Sequence, residues 1–350
     1  MRLVRRGIFF FSVLALLGTL LLAYWETQAP FKGFTGEVFY DLKRGTGTFA
    51  MARDLAALGV VRSPWHFVAA RLARPRVALQ AGEYRFEEAA SPSTVLTRIA
   101  RGEVYYIELT IPEGSNLFEI GDLIEKAGLG KAGEFRTAAM DSTMIRDLAP
   151  AAPSLEGYLF PSTYQVSRRI QPADLCRRLT GEFRKVWKEL GGTGDPHETV
   201  TLASLVETET AVPEERPRVA GVYLNRLTAG IKLDCDPTVI YAALLAGRWR
   251  GTIYRSDLDR KHPYNTYQVY GLPPGPIANP GKASLEAALH PDDVKAVYFV
   301  AKPDGSGGHV FSDTLAAHER AVASYRRGTA RQRGKSAPAV AVGKKAKPRK

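Results

Sequence analysis

The sequence predicts an α+β protein: an N-terminal transmembrane helix, a small α/β unit, and a mixed, mainly helical second half. Three observations carry this. Residues 7–25 form a nineteen-residue run without a charge. An internal repeat at an offset of 69 residues gives two strand, turn and helix units in succession. Beyond Gln171 the apolar positions recur at helical spacing.

The run from Gly7 to Trp25 is rich in Leu and Phe and long enough, as a helix, to cross a hydrocarbon core of about 30 Å. Arg2, Arg5 and Arg6 precede it and Glu26 follows. The positive-inside bias puts residues 1–6 in the cytoplasm and everything after residue 26 outside. A cleaved signal peptide is the competing reading, but no small-x-small site follows and Ala29 is succeeded by Pro30.

In the repeat, Leu42, Gly45, Thr46, Phe49, Met51, Leu55, Gly59 and Val60 align with Ile111, Gly114, Ser115, Phe118, Ile120, Ile124, Gly128 and Leu129. Each copy reads as a strand, a Gly-Thr or Gly-Ser turn supplying a helix N-cap, an amphipathic helix and a Gly stop. A looser echo pairs Leu79–Gly82 and a helix from Pro92 with Leu155–Gly157 and a helix from Pro172. Two copies are too few for a solenoid, so a boundary is expected near Gly102–Ile107. Helices follow over Pro172–Leu190, Glu198–Ala211, Glu215–Ala229 and Pro237–Leu245. Ala296–Lys302 and His309–Ser312 read as strands joined by the glycine-rich turn 303–308. That turn lacks the Lys-Ser/Thr ending of a phosphate-binding loop.

The 350 residues are 45% hydrophobic, enough for one large core or two moderate ones. The formal charge of +12 suggests nucleic acid until it is located. Arg326 to Lys350 holds ten basic residues and no acidic ones, and the three N-terminal arginines bring the terminal bases to thirteen. Residues 7–325 then carry 35 bases against 36 acids, so no basic groove and no nucleic-acid partner is indicated. The tail 326–350 has almost no large apolar side chain and is expected to be disordered. Cys176 and Cys235, 59 residues apart, read as two unrelated buried thiols rather than a disulfide. The six histidines are dispersed, so neither a metal nor another cofactor is expected.

The chemistry is concentrated in Leu202-Ala203-Ser204-Leu205-Val206-Glu207-Thr208-Glu209-Thr210, an apolar helical segment with two carboxylates. A carboxyl set among Leu and Val is costly to ionise, which suits a proton donor near neutral pH. Downstream, Tyr264 to Gly281 is a Tyr-, Asn- and Pro-rich loop suited to rings, hydroxyls and amides. Together they point to acid/base work on a neutral polymer. Helical geometry alone does not choose between the two glutamates. Glu209 shares a stripe with Leu202, Leu205 and Val206, where it would hold a structural hydrogen bond. The face of Glu207 is lined by Ala203, Ser204, Thr210 and Ala211, which leaves room for a substrate.

Several of these segments resemble one family. Glu156-Gly157-Tyr158-Leu159-Phe160-Pro161-Ser162-Thr163-Tyr164, the segment 202–210, Val222-Tyr223-Leu224-Asn225-Arg226-Leu227, Asp236-Pro237-Thr238-Val239-Ile240-Tyr241, Tyr264-Asn265-Thr266-Tyr267 and Gly271-Leu272-Pro273-Pro274-Gly275-Pro276-Ile277 are similar to the MltG-type (YceG-like) endolytic murein transglycosylases. The resemblance runs in unbroken order over about residues 36–326. It implies an inner-membrane anchor at 7–25, a small LysM-like α/β subdomain at 36–106, and a catalytic domain at 107–325 in the periplasm. It implies cleavage of the MurNAc-GlcNAc bond of nascent peptidoglycan strands, leaving 1,6-anhydroMurNAc ends and terminating elongation, with peptidoglycan synthases as partners.

The family's catalytic glutamate maps onto Glu207. Thr208 stands where a Lys is common, on the opposite side of the helix from Ser204, so activity is not expected to depend on it. By the same resemblance Tyr264, Asn265, Thr266, Tyr267 and Asn279 belong to the sugar groove, supported by Asn225, Glu156 and Tyr164. For Glu156 and Tyr164 a structural role is equally expected.

Two alternatives stay open. Asp236, or Glu209, as a second carboxylate beside Glu207 would make a hydrolytic muramidase, although Asp236 before Pro237 also reads as a helix cap. A non-enzymatic, peptidoglycan-binding membrane protein is the other.

Overall fold

The computed structural model describes residues 2–336. The chain is mixed α+β, about half helical, and its strands are short. It divides into two units, Met1–Glu108 with Gln165–Arg168, and Leu109–Tyr164 with Arg169–Lys350.

The first unit opens with α1 (Arg2–Gln28). Within it, Ile8–Gln28 is the one stretch among the described residues long and apolar enough to cross a membrane. Strand β1 (Val38–Leu42) pairs antiparallel with β2 (Gly82–Phe86), Tyr40 opposite Tyr84. Helices α2 (Thr48–Ala57), α3 (Pro64–Ala73) and α4 (Pro92–Arg101) cover this ribbon. Met51, Leu55, Phe67, Tyr84, Phe86, Leu96 and Ile99 form the core between them. Ser91 caps α4 by accepting from the Thr94 amide, and Gly102 ends it with a φ of 67°, a left-handed turn that costs glycine nothing. Arg168 reaches the buried Glu83 at 2.8 Å.

The second copy of the repeat follows the same order. β3 (Ile107–Thr110) pairs with β4 (Thr163–Val166), and α5 (Leu117–Lys126) follows β3 as α2 follows β1. The helix starts differ from the expected Thr46 and Ser115 caps. The N-cap of α2 is Gly47, without a side-chain bond. That of α5 is Asn116, which accepts from the Phe118 and Glu119 amides while Glu119 accepts from the Asn116 amide. Gly45 and Gly114, at φ of 80° and 76°, turn the chain once more before the helix begins.

The remaining helices of the second unit are α6 (Ala132–Ala139), α7 (Pro172–Glu189), α8 (Pro196–Glu209), α9 (Arg216–Thr228), α10 (Asp236–Leu245), α11 (Arg255–Leu258) and α12 (Lys282–Leu289). Helix α8 is its axis. Val200 to Val206 are all buried, the mark of a helix enclosed on every side. Leu202, Leu205 and Val206 pack with Val219, Tyr223, Tyr241, Tyr264 and Ile277. A Cβ at Gly221 on α9 would lie 2.3 Å from the Asp292 carbonyl, so only glycine admits that close passage. Cys176 and Cys235 are buried and unbonded.

Strands β5 (Tyr298–Ala301) and β6 (His309–Ser312) form the expected hairpin. Helix α13 (Leu315–Ser336) then corrects the expected tail. Residues 326–336 are helical rather than disordered, because Ala, Arg, Gln and Lys are good helix formers even without a core to cover. The rest of that tail, 337–350, lies outside the described residues.

Candidate active site

The site grows from the C-terminal turn of α8. Asp195 and Pro196 start this helix, the Asp195 carboxylate accepting from the His197 amide at 2.7 Å. Its buried stretch then delivers Glu207 to the edge of the core. One carboxylate oxygen, Oε1, accepts from Arg216 Nη2 at 3.2 Å, and Oε2 accepts from the Gly281 amide at 2.9 Å. Arg216 is the first residue of α9 and Gly281 the N-cap of α12. The carboxylate therefore meets a guanidinium and the positive end of a helix dipole. This corrects the apolar setting expected from the neighbouring Leu and Val: their side chains point into the core, while Glu207 points to two donors.

A second carboxylate stands beside it. Glu113, in the turn between β3 and α5, places Oε2 4.0 Å from the same Arg216 nitrogen. A Cβ at Gly281 would fall 2.0 Å from Glu113 Oε1, so the bare glycine is what lets that carboxylate lie there. Glu207 and Arg216 are 6% and 11% exposed, whereas Glu113 is 52% exposed. The Arg216 Nε is buried and has no hydrogen-bond partner among the described residues.

The two carboxylates, Glu113 and Glu207, line a cleft of about 720 Å³. One wall is polar, from Glu113, Asn116 and Glu119. The apolar part of the lining is Pro237, Ile240, Tyr241 and Leu244 of α10 with Ile277 and Ala278. Sugar rings need this mixture, since they present C–H faces as well as hydroxyls. Thr208 also lines the cleft; four residues on from Ser204, it shares that residue's side of α8 rather than lying opposite it as expected. Its hydroxyl bonds back to the Ser204 and Leu205 carbonyls within α8.

Behind the cleft lies a buried polar knot. Glu156 Oε2 accepts from the Leu117 amide at 2.9 Å, and Oε1 from Asn279 Nδ2 at 2.7 Å. Asn279 also donates to the Ser115 carbonyl and accepts from the Leu159 amide. Burial pushes the Glu156 carboxyl up to about 8, opposed by hydrogen bonds from the Leu117 amide, Tyr241 and Asn279. The knot ties the start of α5 to the loop that supplies Gly281. Ser204 adds a tie of its own, its hydroxyl accepting from the Ile277 amide at 3.1 Å. The space expected beside Ser204 for a substrate is filled by this loop.

Of the residues expected from sequence, Glu207 alone lines the cleft. The others make contacts within the protein. Asn265 donates to the carbonyls of Asp257, Leu258 and Arg260. Thr266 holds the Cys235 amide and the Thr238 hydroxyl. Tyr264 packs against Tyr241, ring centres 5.1 Å apart. Asn225 donates to the Val294 and Ala296 carbonyls, and Tyr164 to that of Phe160. Asp236 is not the cap of α10, because Cys235 occupies that position. Its carboxylate instead accepts from the Tyr267 hydroxyl at 2.7 Å. Glu209 is half-buried beside Tyr223 and Cys235. Burial raises its carboxyl above the ordinary range, hydrogen bonds from Cys235 and Tyr223 lower it, and the nearby Asp236 charge raises it again.

Arg216 and Glu113 were missed. Arg216 stands among Glu214, Glu215 and Arg218 and reads there as part of a solvated charge run. Glu113 carried a faint signal: in the repeat it aligns with Arg44, a reversal of charge between otherwise similar turns.

Residues 40–324 match the model of the YceG-like family. A protein of Bacillus subtilis strain 168 named endolytic murein transglycosylase is 31% identical over 306 residues, covering 81% of this chain and 84% of that one. A Streptococcus pneumoniae D39 protein of the same name is 28% identical over 284 residues, covering 71% of this chain and 51% of the longer relative. A crystal structure of a yceG-like protein from Listeria monocytogenes superposes with a TM-score of 0.52 at 27% identity, over 81% of this chain and 98% of that one.

Proposed function

The chain belongs to the YceG-like family, and from that premise we propose that it is an endolytic lytic transglycosylase acting on peptidoglycan glycan strands, with Glu207 as its acid and base. The observation that carries this reading is the Glu207 carboxylate set at the wall of a cleft of about 720 Å³ lined by both polar and apolar side chains. Glu207 protonates the oxygen between MurNAc and GlcNAc, and the C1–O bond breaks. The same carboxylate then takes the proton of the C6 hydroxyl, whose oxygen bonds to C1 and closes the 1,6-anhydro ring. No water is consumed, so one carboxylate suffices where a hydrolase uses two.

Arg216 supports both halves of the cycle. It partners Glu207 while that group is a carboxylate. With Glu113 4.0 Å away, the guanidinium has a second acceptor to turn to when Glu207 carries the proton. Glu113 also brings negative charge to the cleft as positive charge develops on the sugar ring.

The apolar N-terminal helix supports an anchor in the plasma membrane. We place the N-terminus in the cytoplasm and the catalytic unit outside, from Arg2, Arg5 and Arg6 before the helix. We assign the LysM-like role to residues 36–106, peptidoglycan synthases as partners, and strand termination as the outcome of cleavage, on family resemblance.

The test is mass spectrometry of products from uncrosslinked glycan strands, with wild type beside Glu207→Gln. Anhydro ends from the wild type, reduced about 100-fold or more in the variant, are expected. Reducing ends one water heavier would replace this mechanism with a hydrolytic one. Binding without any cleavage would replace it with a non-enzymatic role.

A further inference from the structure

We propose that the outer face of α3 rests on the surface of the membrane that α1 enters, with Arg71 and the following Arg74 and Arg76 holding anionic phospholipid headgroups. The inference rests on reading α1 as a membrane span.

Helix α3 has two faces. Phe67 and Ala70 are buried in the first unit's core. Trp65 and Leu72, seven residues apart and so on one side of the helix, are 68% and 72% exposed. Phe49 of α2, also exposed, extends this apolar face, its ring centre 5.6 Å from that of Trp65. An apolar surface of this kind on a water-facing unit calls for an occupant.

Charge and position name the occupant. From Leu55 to Gly82 there are four arginines, Arg62, Arg71, Arg74 and Arg76, and no Asp or Glu. Aromatic rings beside basic side chains match the region of lipid headgroups, where Trp is enriched and arginine meets phosphate. The start of α3 is tied to the last turn of α1, since Glu26 lies 3.4 Å from His66 and 3.7 Å from Arg62. Tyr24 and Trp25 are exposed at that same end of α1, where an interfacial aromatic belt belongs. Trp65 is next in sequence to His66, which holds α3 to this end of α1. Leu72 lies about 10 Å further along α3, at about 1.5 Å per residue.

The test uses the full chain in lipid nanodiscs. Cys176 and Cys235 are buried, so a polarity-sensitive fluorophore can be placed selectively through Leu72→Cys, and in a second sample through Leu17→Cys. In discs containing phosphatidylglycerol, both labels are expected to be quenched by nitroxide-bearing lipids and shielded from acrylamide. In phosphatidylcholine discs the label at 72 is expected to lose this protection while that at 17 keeps it. Arg74→Gln with Arg76→Gln should lower the docked-to-free ratio roughly 30-fold. A label at 72 open to acrylamide in every disc, with 17 protected, would overturn the proposal and leave the anchor standing. A label at 17 that the lipids do not quench would overturn the anchor, and the proposal with it. Protection of 72 only after glycan strands are added would make the Phe49 and Trp65 pair a sugar platform, and would also overturn the proposal.

Discussion

Replacing Glu156 by Gln removes one titrating group from behind the cleft and leaves its shape. In the fold this carboxyl is held up at about 8, against an ordinary value of 4.5. Because the folded value is the higher, the native state keeps a proton that the unfolded chain releases. The group's contribution is fully present below pH 4.5 and drains away as pH rises through 8. At about 1.4 kcal/mol per pH unit, the loss between pH 5 and pH 8 is about 3.5 kcal/mol. The variant lacks this dependence but begins with a handicap. Its NH₂ must face either the Leu117 amide or Asn279 Nδ2, both donors, and Asn279 cannot turn over because its oxygen is held by the Leu159 amide. That mismatch costs about 1–3 kcal/mol.

Urea unfolding of the full chain in detergent, followed by the fluorescence of the buried Trp187, measures both proteins across this range. Subtracting one from the other cancels every other titrating group. Wild type should be the more stable at pH 5, and the order should reverse by pH 8. A difference that moves by less than about 1 kcal/mol across the range, or grows with pH, would refute the reasoning.

Arg216→Leu leaves Glu207 buried without its cation and should destabilise the second unit by about 3–5 kcal/mol; the double variant with Glu207→Leu should recover most of this in the same unfolding assay. Asn265→Ala strips the donor from three carbonyls and should cost about 2–3 kcal/mol, while glycan KM measured on the folded fraction stays unchanged, which a sugar-binding Asn265 would not allow. Asp236→Asn keeps an acceptor for Tyr267 and should cleave strands at close to the wild-type rate with anhydro ends retained, as mass spectrometry of the products would record.

Much of the architecture was legible because it is local. The repeat in Leu42–Val60 and Ile111–Leu129 marked two strand and helix units, and apolar spacing located α7 to α10 within two residues at their ends. The helix caps were misplaced at Thr46 and Ser115 because Gly45 and Gly114 take left-handed turns that delay the helix. Glu207 was legible as a carboxylate on a buried helix. Its surroundings were not, since they arrive from Glu113, Arg216 and Gly281, and long-range charge pairing leaves no period in a sequence. The same limit explains Asn265, Thr266 and Asn279. An amide or hydroxyl in a Pro-rich loop looks alike whether it binds a sugar or satisfies the loop's own backbone.

The Gly281 amide that holds Glu207 comes 74 residues after it in the chain. Synthesis runs from the N-terminus, so Glu207 leaves the ribosome well before the loop that orients it. Between those moments the cleft lacks Ile277, Ala278 and the Gly281 amide, and Glu207 sits on an incomplete core with Arg216 alone beside it. A chain that is cut short before this loop lacks the amide that holds Glu207 in place. The lateness of one glycine makes complete folding the condition for lysis.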